Sequence, residues 1–548
     1  MVAGKANLEG CLRENAGQLL SVNSSSNLSE FKPVRLNATS FTLAVLTCAV
    51  TELGLALLYD SLAHWFLLPL FVCGVLCASD GFEWLRGRMD VYDPIGLIGL
   101  FGTHFFFLSP LLYVAWDAKM RYVVPPADWR PWLGGMAIFN VIGLLLYRGT
   151  RNWFSGKLPR RRIASRGVNV WELDSKRFSN VLAVALLVTL AAQVFVYARF
   201  GGVAGYIDSY EARHSTSLGN SGGGFAGMSY VFAISESFPI LAIMGYAAFV
   251  VRRRKRPGWF SILLVLAGFF VLQMLFGGLR GSRSTTIFAL VWAVGIVHFL
   301  VRPMPKKLLI GGVIALMGFM YVYGFYKSLG RSAVASIQQG VAFSELEKKS
   351  GRSFETVLLG DLSRCNVQAF FLYRLTEGTA DFDYGWGRTY LGAVALLIPR
   401  AIWPERPPTK KKEGTELIHG RGRWSRGQSD TRVYGLAGEA MLNFGPYVIP
   451  LFFLIPAALA GRVRRWLYRW KALPVVDMRL LVLPFLVRLS FLLLSSDSSN
   501  LVFGIFKTAM VPALVVLLGS RRHLLHDATS PEPQPEVAWL SAEHVSTG

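Results

Sequence analysis

Three groups of residues in this chain have types and spacing suited to chemistry. The first is the run FGGLRGSRSTT, in which Arg280 and Arg283 stand three apart among Gly277, Gly278 and Gly281. Guanidinium groups grip phosphate oxygens in pairs, as an ammonium does not, and the glycines let backbone approach a ligand closely. A helix capped by Ser282 or Ser284 would turn its free N–H groups and positive dipole end toward the same anion. A diphosphate fits this constellation; two arginines reaching for a membrane interface are the plain alternative.

The second group is GLAGEAMLNFG, where Glu439 and Asn443 lie four apart and so share one helical face, directly after Tyr434. A carboxylate near a helix N-terminus is favoured electrostatically, which leaves Glu439 as either a proton acceptor or a helix cap. The third group precedes it. Nine lysines and arginines crowd between Arg400 and Arg432, against four acids, Glu405, Glu413, Glu416 and Asp430. That surplus, which includes Arg423, points to an anionic ligand. His419 is the one histidine there and reads as a general base or as incidental.

Elsewhere, Glu236 lies about three turns into an apolar run, where an acid is costly and is expected to pair with an arginine at a functional site. Glu52 receives the same reading more weakly. The segment GGVAGYIDSYEARHST offers Tyr206, Arg213 and His214 ahead of a glycine-rich run that either closes over substrate or simply connects. Asp361 and Arg364, three apart on an expected amphipathic helix lying on the membrane, read as a salt bridge. Asp497 reads as a turn residue.

Something must position these residues, and composition says what. Of 548 residues 53% are apolar, and many runs approach 20 residues with few charges. That defines an all-α, polytopic helical membrane protein. The net charge of +23 would suggest nucleic acid in a soluble protein; here the basic residues gather in short loops between spans, so no nucleic acid is expected. Five cysteines give no disulfide framework, and no cluster of acids calls for a metal or another cofactor.

Twelve spans are expected, near 41–60, 62–79, 95–116, 132–147, 179–199, 226–251, 259–276, 284–301, 308–326, 434–460, 480–496 and 500–519. They divide the chain into a polar tail (1–40), spans one to nine (41–327), a long loop (328–433), spans ten to twelve (434–522) and a Pro/Glu/Ser-rich tail (523–548). Basic loops at 148–178, 252–256, 302–307 and 461–479 fall on one side, which the positive-inside rule makes cytoplasmic together with both termini. The long loop is then extracytoplasmic. A thirteenth span at 389–403 would break this parity, so Tyr390–Ile402 is expected to be re-entrant or interfacial.

At IPRAIWPERP (398–407) and GLAGEAMLNFGPYVIPLFF (435–453), with GLRGSRS and FGGVAGYIDSYEAR (200–213) in support, the chain resembles the O-antigen polymerase family, the Wzy-like oligosaccharide repeat unit polymerases. The resemblance runs over roughly Phe200–Trp466, is most specific at Gly438–Gly445, and departs from the family in its basic KKK and RGRWSRG insertion. It implies an enzyme of the bacterial inner membrane that moves a growing glycan from a polyprenyl diphosphate onto an incoming lipid-linked repeat, with a flippase and a chain-length regulator as neighbours. On that reading Arg280, Arg283, Arg400 and Arg423 bind diphosphate, and Glu439, the first choice by its motif, or His419 takes the proton. Arg213, Tyr434, Asn443 and Glu236 contact substrate. An O-antigen ligase-like transferase and a flippase of the same lipid-linked glycan are the alternatives.

Overall fold

The computed structural model describes residues 37–120, 122–156, 168–215, 227–253, 256–280, 283–378, 381–399, 401–473 and 475–525. Among these, eleven helices are long and apolar enough to cross a membrane: Ala38–Leu58, Leu67–Leu85, Pro94–Ala115, Arg130–Ser155, Ser175–Arg199, Ser229–Arg253, Trp259–Phe276, Arg283–Val301, Lys306–Leu329, Pro446–Lys471 and Ser498–Gly519. A twelfth apolar helix, Leu483–Ser495, has 13 residues and so a length of about 20 Å. The all-α polytopic architecture expected from the sequence is the one observed. Beyond it there are two short antiparallel strands, Val168–Leu173 and Ser520–Leu525.

Helix boundaries follow local chemistry. The Asn37 side chain accepts the Thr39 N–H at 3.0 Å and starts the first span. Asp93 accepts from Ile95 ahead of Pro94, a residue suited to a first helical turn.

The expected span 434–460 is corrected to two pieces. A ten-residue helix, Gly435–Phe444, ends where Gly445 takes a φ of +85° ahead of Pro446, and the crossing helix is Pro446–Lys471. Glycine alone adopts that φ without strain, and proline cannot continue the hydrogen-bond ladder. The run GRVRRWLYRWK, expected as a loop, is helical to Lys471.

Ion pairs identify the two ends of the bundle. At one, Asp93 holds Arg464 at 2.8 Å, Asp90 holds Lys471 at 2.5 Å, and Asp477 accepts from the Trp171 N–H at 3.4 Å. This is the basic end. At the other, Arg331 pairs with Asp208 at 2.6 Å, Arg283 with Asp361, and the Tyr230 hydroxyl donates to Leu397 at 2.6 Å. The long segment 330–433 belongs to that second end.

Within the segment, the helix expected to lie amphipathically on the membrane is corrected to one inserted in the protein. Cys365–Thr376 buries Val367, Gln368, Phe370, Phe371 and Leu372 and packs against Arg130–Ser155 and Gly435–Phe444. Of its first eight residues all but Asn366 are buried, so the helix lies among protein rather than along lipid. The Asp361–Arg364 salt bridge does not form. Asp361 pairs with Arg283 and Arg352, and Arg364 donates to the carbonyls of Gly360, Asp361 and Ser363. The helix Arg388–Ala395 has eight residues, too few to cross, and packs beside Ser498–Gly519.

Candidate functional site

Two side-chain clusters at the second end share one helix, Ser498–Gly519. The upper cluster surrounds its start. Asp497, fully buried, is the residue before the helix, and one carboxylate oxygen accepts from the Tyr434 and Gly435 N–H groups at 2.8 and 3.0 Å. The other oxygen takes the buried Lys410 ammonium, which also donates to the Arg432 carbonyl and lies 4.2 Å from the centre of the Tyr434 ring. Asp497, expected to be a turn residue, therefore pins the long segment to the turn between the last two helices.

Glu439 is 2% exposed and bridges three elements. It accepts from the Ser498 N–H at 2.6 Å, the Ser498 hydroxyl at 2.5 Å and the Thr389 hydroxyl at 2.8 Å. Of the two roles open to it, the geometry is that of a cap, on the helix beginning at Ser498 rather than on its own. Burial pushes its pKa up, the Asp497 carboxylate adds to this, and the Ser498 and Thr389 hydrogen bonds oppose it. Asn443 supports the same joint, donating to Thr389 at 2.7 Å and accepting from the Gly387 N–H at 3.0 Å.

Tyr434 is fully buried, with its carbonyl accepting from Gln368 at 2.9 Å, and burial drives its phenol pKa well up. His419 ends the helix Lys411–His419, with Nε2 3.4 Å from Asp430. Asp430 also meets Arg432 and the Tyr434 hydroxyl. His419 is thus no isolated loop histidine; its ring stands beside a carboxylate. Arg423 is exposed on the turn that follows.

The lower cluster lies along the same helix, Lys507 being nine residues from Ser498, roughly 13 Å at helical rise. Glu236 sits where Ser229–Ser235 gives way to Phe238–Arg253. Its carboxylate takes Arg280 on one oxygen and Lys507, at 2.5 Å, on the other. The expected arginine partner is present, and a lysine joins it. Gly277 permits this approach, since a Cβ there would meet the Glu236 carboxyl at 3.0 Å. Arg280 also covers the Phe232 ring at 4.0 Å. Arg283 turns away to Asp361, with both terminal nitrogens engaged at 2.7 and 2.9 Å.

The structure thus brings Glu439, Asn443 and Tyr434 together, and Arg280 with Glu236, in two layers below the segment that carries His419 and Arg423. Arg283 faces Asp361 rather than sharing an anion with Arg280. Arg400 and the side chain of Arg213 lie outside the described residues. Sequence reasoning took Asp497 for a turn residue and passed over Lys410, Lys507, Thr389 and Ser498. Lys507 carried a usable signal, being an ionisable residue inside an apolar span. Among the described residues no group of three His, Cys, Asp or Glu is arranged to hold a metal ion.

The fold and these clusters define a multi-pass α-helical membrane protein with buried ion-pair layers at one end. Compared with protein-family models, curated proteins and solved structures, the chain matches none.

Proposed function

We propose that the protein is a glycosyltransferase that polymerises oligosaccharide repeats carried on polyprenyl diphosphate. It would act at the bundle end opposite the basic loops, which the positive-inside rule makes extracytoplasmic, with both termini in the cytoplasm of a bacterium. The observation that carries the reading is the lower cluster: Arg280 and Lys507 share a single carboxylate, Glu236, and leave one positive charge over. The resemblance at Gly438–Gly445 supports it.

In the reaction the bond between the sugar anomeric carbon and the diphosphate oxygen breaks, the electron pair leaving with the diphosphate. A hydroxyl of the incoming repeat bonds to that carbon and gives up its proton. Surplus cationic charge at the leaving group stabilises the transition state more than the ground state. Arg280 is the residue for this role, with Arg400 and Arg423 as further cations from the long segment. His419 is the proton acceptor, with the Asp430 carboxylate beside its ring to stabilise the imidazolium that would form. Glu439, enclosed by three donors, is a positioning residue, as are Asn443 and Tyr434. Arg213 would contact the glycan. A flippase and a chain-length regulator are the natural partners.

The test is transfer by purified protein supplied with a synthetic polyprenyl-diphosphate oligosaccharide. A ladder of products that vanishes in Arg280→Ala and His419→Ala supports the proposal. One transfer to an added glycolipid favours a ligase. Ionisable residues inside spans, Glu236 and Lys507, also suit a flippase; absence of transfer together with movement of the lipid between leaflets of liposomes would establish that reading instead.

A further inference from the structure

Six lysines and arginines are buried among the described residues: Arg151, Arg283, Lys410, Arg464, Arg488 and Lys507. Five face a carboxylate, respectively Asp80, Asp361, Asp497, Asp93 and, for Lys507, Glu236. Arg488 does not. It is 4% exposed, in the apolar helix Leu483–Ser495, and its guanidinium lies between the rings of Phe288 and Phe485 at 4.9 and 4.8 Å. Its one hydrogen bond among the described residues is from NH2 to the Thr508 hydroxyl, long at 3.4 Å, and its Nε has no partner. A buried cation without a counter-charge is strongly unfavourable, and a cation–π contact offsets only part of that.

Thr508 donates its own hydroxyl proton to the Gly504 carbonyl at 2.7 Å, so toward Arg488 its oxygen acts as an acceptor, and a neutral one that does not balance the guanidinium charge. Gly504 lies one turn nearer Ser498 on the same face as Thr508, and no heavy atom stands within 4 Å of where its side chain would begin. Gly504 thus leaves room beside its own backbone one turn from Thr508. Lys507, adjacent to Thr508 in sequence, carries the Glu236–Arg280 pair on the neighbouring face of the helix.

We propose that Arg488 is an anion-binding subsite for a phosphate or diphosphate group, flanked by Phe288 and Phe485. A guanidinium with a free Nε edge matches two phosphate oxygens. The apolar walls suit a phosphate carried by a lipid, and inorganic diphosphate offers the same head chemistry. The inference does not rest on the glycosyltransferase reading, since it concerns binding and not transfer.

The experiment is thermal unfolding of the full chain in maltoside detergent with farnesyl diphosphate, inorganic diphosphate or farnesol. Farnesyl diphosphate is expected to raise the Tm of the wild type, and farnesol is not. An equal rise with inorganic diphosphate identifies a free anion as the source; no rise identifies the lipid-borne phosphate. In Arg488→Met the rise is expected to vanish, with binding weakened about ten- to a hundredfold, as the loss of charge-assisted hydrogen bonds implies. The ligand-free variant should be no less stable than the wild type, because an unpaired charge has been replaced by an apolar side chain of similar length. Arg488→Lys keeps the charge without the fork and should show a reduced rise. An unchanged rise in Arg488→Met, or no rise in the wild type with either diphosphate, overturns the proposal. So does failure of both variants to fold, because the charge is then structural.

Discussion

The pairing of Lys410 with Asp497 makes a sharp prediction, because it joins the long segment to the helical bundle through two side chains 4% and 0% exposed. Lys410→Met leaves the Asp497 carboxylate buried with the Tyr434 and Gly435 N–H groups, Asn500 and the more distant charge of Arg364 for compensation. Asp497→Asn leaves the ammonium buried above the Tyr434 ring. Each single change abandons a buried charge and should cost about 3–5 kcal/mol. The double variant abandons none, and an asparagine oxygen still accepts from the two N–H groups. Its cost should fall short of the sum by about 2 kcal/mol or more, a coupling within the range for residues in direct contact. Thermal unfolding in detergent reads this as Tm, and limited trypsin digestion reads it locally, since Lys411, Lys412, Arg421, Arg423 and Arg426 all lie in the pinned segment. The single variants should melt lower and be cut faster there, and the double variant should recover part of both. Additive losses in the double variant, or an unchanged Tm in Lys410→Met, would refute the argument that this pair fixes the segment.

Glu439 gives a pH dependence. Its folded pKa is raised above 4.5, so the native state holds the proton more tightly than the unfolded chain. The resulting stabilisation is complete below about pH 4.5 and is lost as pH rises through the higher folded value. Measured from pH 4 to 8, the Tm of the wild type should therefore fall relative to that of Glu439→Gln, which does not titrate. Gly277→Ala sets a Cβ against the Glu236 carboxyl at 3.0 Å and should displace it from Arg280; transfer activity is expected to drop while Tm changes little. Asp361→Asn leaves Arg283 buried without a charge partner and should lower Tm by several degrees, whereas the double variant Arg283→Met/Asp361→Asn should recover part of the loss.

Membrane spans were legible because a bilayer imposes length and apolarity on each one separately, so every expected span has a helix at or near its position. What could not be read was the distinction between a crossing helix and one enclosed by other helices, since both are apolar. Residues 434–460 have the composition of one span, and only Gly445 followed by Pro446 marks the break. Cys365–Thr376 likewise carries apolar residues that suit a lipid surface as well as a protein interior.

Pairings were still less legible. Glu236 was singled out because a single acid in an apolar run is conspicuous by itself, and its arginine partner could be expected from that alone. Asp497 gave no such signal: DSSN between two helices has the composition of an ordinary turn, and Lys410, 87 positions away, is one of nine basic residues in its segment. Local sequence holds the cap, while the counter-charge is chosen by the tertiary fold. Arg488 is equally hidden in the sequence. Its environment is made by Phe288, Phe485 and Thr508, drawn from three helices, and the missing carboxylate becomes visible only when those helices are assembled and every other buried cation has been matched to its acid.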